Sequence, residues 1–240
     1  MSRRASTRRR STRPFLGSGR GGAMGLHAGA LAAGSLGGSL RGGNLRRALA
    51  QEAARIMAQH GIHDFRTAKR KAAERLGVTE ASALPGNVEI ERALAEYQRL
   101  FAAGTHERSL AAQRRAALHA MHWLSQFQPR LVGPVLSGTA TEHADIQLHL
   151  FADRPENVTL QLMDQGVAHE ITERRVRLDA ERTKAFPGLR FAIENRCVEV
   201  TVFPRDGIRQ APVSPVDGRP MRRADAAELA ALLDASLARA

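Results

Sequence analysis

Between residue 44 and about residue 126 the apolar positions recur every three or four residues, the period of amphipathic helices. Asn44 is a candidate N-cap for a first helix carrying Leu45, Leu49, Ala53, Ile56 and Met57 on one face, with Gly61 as its stop. Asp64 caps a second, with Phe65, Ala68, Ala72 and Leu76 inward and Gly77 at its end. The run Leu84-Pro85-Gly86-Asn87 breaks the chain. A third helix then carries Ile90, Leu94, Tyr97 and Phe101, and a long fourth, capped by Thr105, carries Leu110, Ala117, Leu118, Met121 and Leu124.

After Pro129 the period changes to two, which predicts strands. Over residues 144–151, Ile146, Leu148 and Leu150 take one face while Asp145, Gln147 and His149 take the other. Residues 157–163 alternate through Val158, Leu160 and Leu162 and read as another strand. Residues 191–193 and 198–203 read as a hairpin around Asn195-Arg196, with Val198, Val200 and Val202 opposite Glu199, Thr201 and Phe203. A Pro- and Arg-rich loop over residues 207–223 leads into a last helix, residues 225–237, with Leu229, Leu232 and Leu233 inward. The expected architecture is α+β: a helical unit over residues 44–128, then a small mixed or antiparallel sheet closed by a helix over residues 129–240.

Composition changes this picture at the amino terminus. The net charge of +12 points to a nucleic-acid partner until it is located. Residues 1–43 hold eight arginines and no acidic residue, so the remainder carries 28 basic against 24 acidic side chains and is only mildly basic. The tail, with its Arg-Ser repeats and glycine pairs, cannot bury enough apolar surface to fold and is expected to be disordered. A transit peptide, or a start at Met24, are its alternatives. A single cysteine, Cys197, excludes an internal disulfide and a multi-cysteine zinc site and suits a reducing, cytoplasmic compartment. No apolar run approaches the roughly 18 residues of a membrane span.

The chemistry concentrates between Gly133 and Leu148. A glycine turn, Gly133-Pro134, a second glycine, Gly138, and then Asp145-Ile146-Gln147 within an apolar strand resemble the signature of the nucleotidyltransferase superfamily with the polymerase-β-like fold, in its small bacterial branch. In that family a Gly-Ser turn holds nucleotide phosphates, an Asp-x-Asp pair on a strand binds divalent metal, and a third carboxylate on a later strand completes the site. The resemblance covers about sixteen residues closely and extends loosely to about residue 205. It implies a polymerase-β-like domain in which Asp145 is the first carboxylate, Glu199 the third, and Asp145, Gln147 and Glu199 the ligands of Mg²⁺. Residues two apart on a strand share a face, which lets two carboxylates converge on one hard cation.

Two departures weaken that chemistry. Gln147 offers a neutral amide where the family has an anion, and Pro134 has neither the N–H nor the hydroxyl of the turn. The expectation is a nucleotidyltransferase-like protein with an eroded, weak or inert site that still binds a nucleoside triphosphate, through Gly133, Gly138 and the arginines of the carboxy-terminal loop, Arg209, Arg219 and Arg222. That loop turns at Asp217-Gly218 and precedes a helix start, a place suited to anions.

The alternative is a nucleic-acid-binding module or protein-interaction adaptor built on the basic tail and the helical unit, whose second helix carries Lys69, Arg70 and Lys71 outward. His149 shares the face of Asp145 and reads as a solvated strand histidine. His119 and His122 stand one helical turn apart, but with Trp123 beside them and no cysteine near they read as a partly buried helix face.

Overall fold

A computed structural model of the chain describes residues 42–79, 83–179 and 181–237; the amino-terminal tail lies outside these. Among the described residues are seven α-helices and one five-stranded mixed sheet, an α+β arrangement.

Three helices form the first layer: α1 (Gly42–His60), α2 (Phe65–Leu76) and α3 (Asn87–Phe101). They close on a core of Leu49, Ala53, Ile56, Ala68, Ala72, Ile90 and Leu94. Asp64 caps α2 as its position predicts, accepting from the backbone N–H groups of Arg66 and Thr67, and Gly77 ends it in the left-handed region. The first helix begins before Asn44, at Gly42. Leu76 and Phe101, expected inward, are exposed: each is the last residue of its helix, past the reach of the core.

Helix α4 (Ala103–Trp123) starts ahead of Thr105, whose hydroxyl instead donates back to the carbonyl of Ala102. Its Ala116, Ala117, Ala120 and Met121 pack into the core of the sheet, not that of α1–α3. The packing boundary therefore falls between α3 and α4.

The sheet has the order β1-β2-β5-β4-β3. Strands β1 (Arg130–Val132) and β2 (Ile146–Phe151) are antiparallel, and β2 runs parallel to β5 (Arg196–Phe203). Beyond β5 lie β4 (Thr183–Ile193) and the edge strand β3 (His169–Arg177), both antiparallel to their neighbours. Ile146, Leu148 and Leu150 of β2 and Val198, Val200 and Val202 of β5 bury one face, as the alternation predicts. That face is covered by α4, α5 (Gly133–Ser137), α6 (Glu156–Asp164) and α7 (Ala226–Leu237). Asp225 and Glu228 cap α7 reciprocally through each other's backbone N–H, both at 2.9 Å.

Residues 157–163 are not a strand. They form most of α6, in which Val158 and Leu162, four apart, are fully buried while Leu160 is 55% exposed. The spacing Val158-Leu160-Leu162 satisfies both periods, and packing selects the helical one. The β4–β5 turn lies one residue earlier than expected, at Glu194-Asn195, both with positive φ (49° and 61°).

The segment between α5 and β2 has little regular structure and is held by side chains. The Nε2 of Gln98 in α3 donates to the carbonyls of Thr139 (3.1 Å) and Ala140 (3.2 Å), and that of Gln113 in α4 donates to Thr141 (2.8 Å). Both glutamines are buried.

Candidate functional site

Asp145, Gln147 and Glu199 lie on the sheet face opposite the core with the Gly133 turn against Gln147, while Gly138 does not join them. Strand β1 delivers the chain to Gly133, whose φ of +71° suits glycine. A Cβ there would overlap the Oε1 of Gln147, so the glycine turn and the second signature position are in direct contact. Pro134 follows in the first turn of the short helix α5, where its missing N–H costs nothing, and its carbonyl accepts from the N–H groups of Gly138 and Thr139. Gly138 ends α5 with φ +87° and turns toward α4: its carbonyl bonds to His106 Nε2 at 3.0 Å.

Because β2 and β5 are parallel neighbours, Gln147 stands in register with Glu199. Asp145 precedes β2 by one residue, so Asp145, Gln147 and Glu199 lie on one face at one end of the strand pair. Neither carboxylate is available as a bare anion. Asp145 Oδ2 accepts from Arg190 Nη2 at 3.1 Å, and Glu199 Oε1 accepts from Arg174 Nη1 at 2.6 Å. Arg190 also donates through Nε to Cys197 Sγ at 2.8 Å. That bond, with the Asp145 charge behind it, holds the Arg190 guanidinium above its ordinary range, while burial pushes the Cys197 thiol up. The donor set for a divalent cation is thus two carboxylates, each already carrying a guanidinium, and one neutral amide. This set does not fit a resident Mg²⁺, which prefers carboxylate oxygens in near-octahedral array.

Farther along the same face His149 is 5% exposed, against the expectation of a solvated strand histidine. Its Nδ1 accepts from Arg223 Nε at 3.1 Å and its ring meets Phe203 edge-on at 4.7 Å. The loop before α7 has closed over this part of β2, which alternation within the strand does not reveal. Burial, then the positive charges of Arg223 and Arg174, push its pKa down to about 3, so the ring is neutral at pH 7.

The carboxy-terminal arginines do not converge on Asp145. Arg219 and Arg222 are exposed, and Arg219 is turned by its own N–H bonding to Asp217 Oδ1. Arg209 is also exposed and lines a cavity beside Phe151, at the other end of β2. Six residues of strand separate Asp145 from Phe151, about 20 Å at about 3.3 Å per residue. The loop arginine that does reach the sheet is Arg223. Its guanidinium lies over Phe151 (5.0 Å) and Phe203 (5.3 Å) and donates to the carbonyls of Gly207 and Ile208.

The remaining expectations resolve locally. In the Lys69-Arg70-Lys71 cluster, Arg70 pairs with Glu74 on its own helix at 3.1 Å. His119 bonds to Glu194 Oε1 at 3.0 Å and packs against Trp123, a structural contact. Among the described residues no helix is long and apolar enough to cross a membrane. Comparison of the chain with protein families, with curated proteins and with solved structures gives no match.

Proposed function

We propose that this chain is a nucleotidyltransferase-like protein with a polymerase-β-like domain, whose site binds the phosphates of a nucleotide without transferring the nucleotidyl group. One observation carries the reading. The glycine turn, Gln147 and Glu199 stand together as the resemblance implies, yet Arg190 and Arg174 occupy the carboxylates that a catalytic metal needs. Guanidinium groups are themselves good phosphate ligands, binding by paired N–H donors. A phosphate approaching the Gly133 turn would share them with Asp145 and Glu199 and needs no metal bridge.

Calorimetric titration of the full chain with ATP, GTP, CTP and UTP, each with and without Mg²⁺, tests this. The reading expects binding by at least one nucleotide that is independent of Mg²⁺ and weakened about tenfold or more by Arg190→Gln, the worth of a charged hydrogen bond. Binding that requires Mg²⁺ and vanishes in Asp145→Ala would restore a working metal site. Absence of binding by all four nucleotides would remove the nucleotide from the reading.

A further inference from the structure

The two edges of the sheet differ. At β1 the outer edge is taken, because Leu131 and Ala224 exchange both backbone hydrogen bonds, at 2.8 and 2.9 Å. At β3 the ladder to β4 fixes which backbone groups point outward. The Leu178 N–H donates to the Arg182 carbonyl, which makes these two a hydrogen-bonded pair in the β3–β4 register. Even-numbered residues of β3 therefore bond inward, while His169, Ile171, Glu173, Arg175 and Arg177 turn their N–H and C=O groups out. Pro187, which has no N–H, stands opposite Glu173, where this ladder asks for none. The Arg177 carbonyl accepts from the Val213 N–H at 2.8 Å, the only backbone bond to the outer edge among the described residues. The edge over residues 169–175 is left open, and on it Ile171 is 71% exposed.

Proteins commonly block such an edge with a proline, a lysine or a bulge. Residues 169–175 contain no proline and no lysine, and their register with β4 is unbroken. Their sequence is instead complementary to itself. Two copies related by a two-fold axis pair antiparallel with one residue opposite itself, since paired side chains share a face. An axis at Glu173 or at Arg174 sets like charges against each other. An axis at Ile171 confines the pairing to residues 169–173. An axis at Thr172 uses the whole open edge and stops short of the carbonyl that Val213 holds, with about eight hydrogen bonds. It sets Glu170 opposite Arg174 of the second copy, twice by symmetry, and Ile171 against the methylenes of Glu173. His169 falls opposite Arg175 at the ends of the pairing, where solvent screens them. Arg174 already donates through Nη1 to Glu199, and its guanidinium has further N–H groups for a second carboxylate.

We infer that this protein forms a two-fold dimer through β3, which joins two five-stranded sheets into one, with Thr172 on the axis. The inference does not rest on the nucleotide reading of the Asp145–Glu199 face. One strand from each copy covers less area than a standard interface, so the expected Kd is about 1–100 μM.

Sedimentation of the full chain from about 1 μM to about 500 μM tests this. The expected result is a monomer–dimer equilibrium with no larger species. Glu173→Pro removes an outward N–H that β4 does not use and should abolish the dimer. Circular dichroism checks the fold of that variant, and where the fold changes Glu170→Arg decides alone. Glu170 is exposed, and Glu170→Arg turns both attractive pairs into repulsive ones, weakening the dimer about tenfold or more. In hydrogen exchange the outward amides of Ile171, Glu173 and Arg175 should slow as concentration rises, and those of Thr172 and Arg174 should change little. A monomer throughout, or a dimer unchanged by a folded Glu173→Pro, would overturn the β3 interface. Outward amides equally protected at every concentration would give the edge to the chain's own residues and overturn it too. A dimer lost in Glu173→Pro but unaffected by Glu170→Arg would overturn the axis at Thr172.

Discussion

His149 makes the stability of this protein depend on pH in a way that can be isolated. Its unperturbed pKa is 6.5 and burial brings the folded value to about 3. The folded state therefore holds fewer protons than the unfolded state between these values, and stability falls as pH falls. The contribution is complete above pH 6.5 and declines as pH drops toward 3. At about pH 4.5 the unfolded histidine is charged and the folded one is not, a gap of about two pH units at about 1.4 kcal/mol each. The loss from about pH 7 to about pH 4.5 is then about 2.5 kcal/mol, an upper bound because the loop over His149 can loosen to admit the charge. Carboxylates held low by hydrogen bonds, such as Asp64 and Glu52, lose stability in the same direction. The measurement is therefore a difference: urea unfolding of the wild type and of His149→Gln across that range. The amide can still accept from Arg223, so the variant tests titration more than packing. The two stability curves should converge by about 2 kcal/mol toward low pH. Parallel curves would show that His149 is protonated in the folded state and that its burial has been misjudged.

Further substitutions probe the frame of the fold and the site. Leu162→Ala should cost about 2–5 kcal/mol in urea unfolding and Leu160→Ala less than about 0.5 kcal/mol, because only the first lies in the core. Equal costs would fit a strand there and not a helix. Gly133→Ala should destabilise by about 1–3 kcal/mol in thermal unfolding, from its positive φ and the overlap with Gln147. Adding Gln147→Ala should recover only the overlap, and full recovery would mean that the backbone is unstrained. Gln113→Leu should cost about 0.5–1.5 kcal/mol by removing one of two donors to the Thr141 carbonyl, the other being the Ala144 N–H, and a neutral result would show that the backbone donor suffices.

The elements that could be read from the chain are those whose cause is local. Asp64 and Gly77 bracket α2 through bonds to residues two to four positions away, and the Val198-Val200-Val202 face follows from one strand's own alternation. Strand β3 could not be read, because of its two apolar side chains Ile171 is 71% exposed and Val176 is partly buried against the Phe151, Phe186 and Phe203 cluster, which gives no alternation. Its evidence is its pairing with β4, which is non-local. The same limit governs the candidate site. Asp145, Gln147 and Glu199 share a face by period two, and that much was legible. The partners that decide their chemistry, Arg190 and Arg174, arrive through the order β2-β5-β4-β3, which no spacing within the chain encodes. His149 went astray for a related reason: alternation shows which face a residue takes, not what later covers it.

The two glutamine amides that hold residues 139–141 tie one part of the molecule to another. The carbonyls of Thr139 and Ala140 accept from Gln98, and that of Thr141 accepts from Gln113 as well as from the Ala144 N–H, so the path of the chain into Asp145 depends in part on donors from α3 and α4. Gln98 projects from a helix whose apolar side belongs to the α1–α3 core. Local opening of that core therefore withdraws a donor from the approach to the site, and a ligand that orders the approach resists that opening by the same free energy. In hydrogen exchange the amides of α3 and those flanking Asp145 would slow together, so the helical layer works as a reporter of occupancy on a surface it does not line.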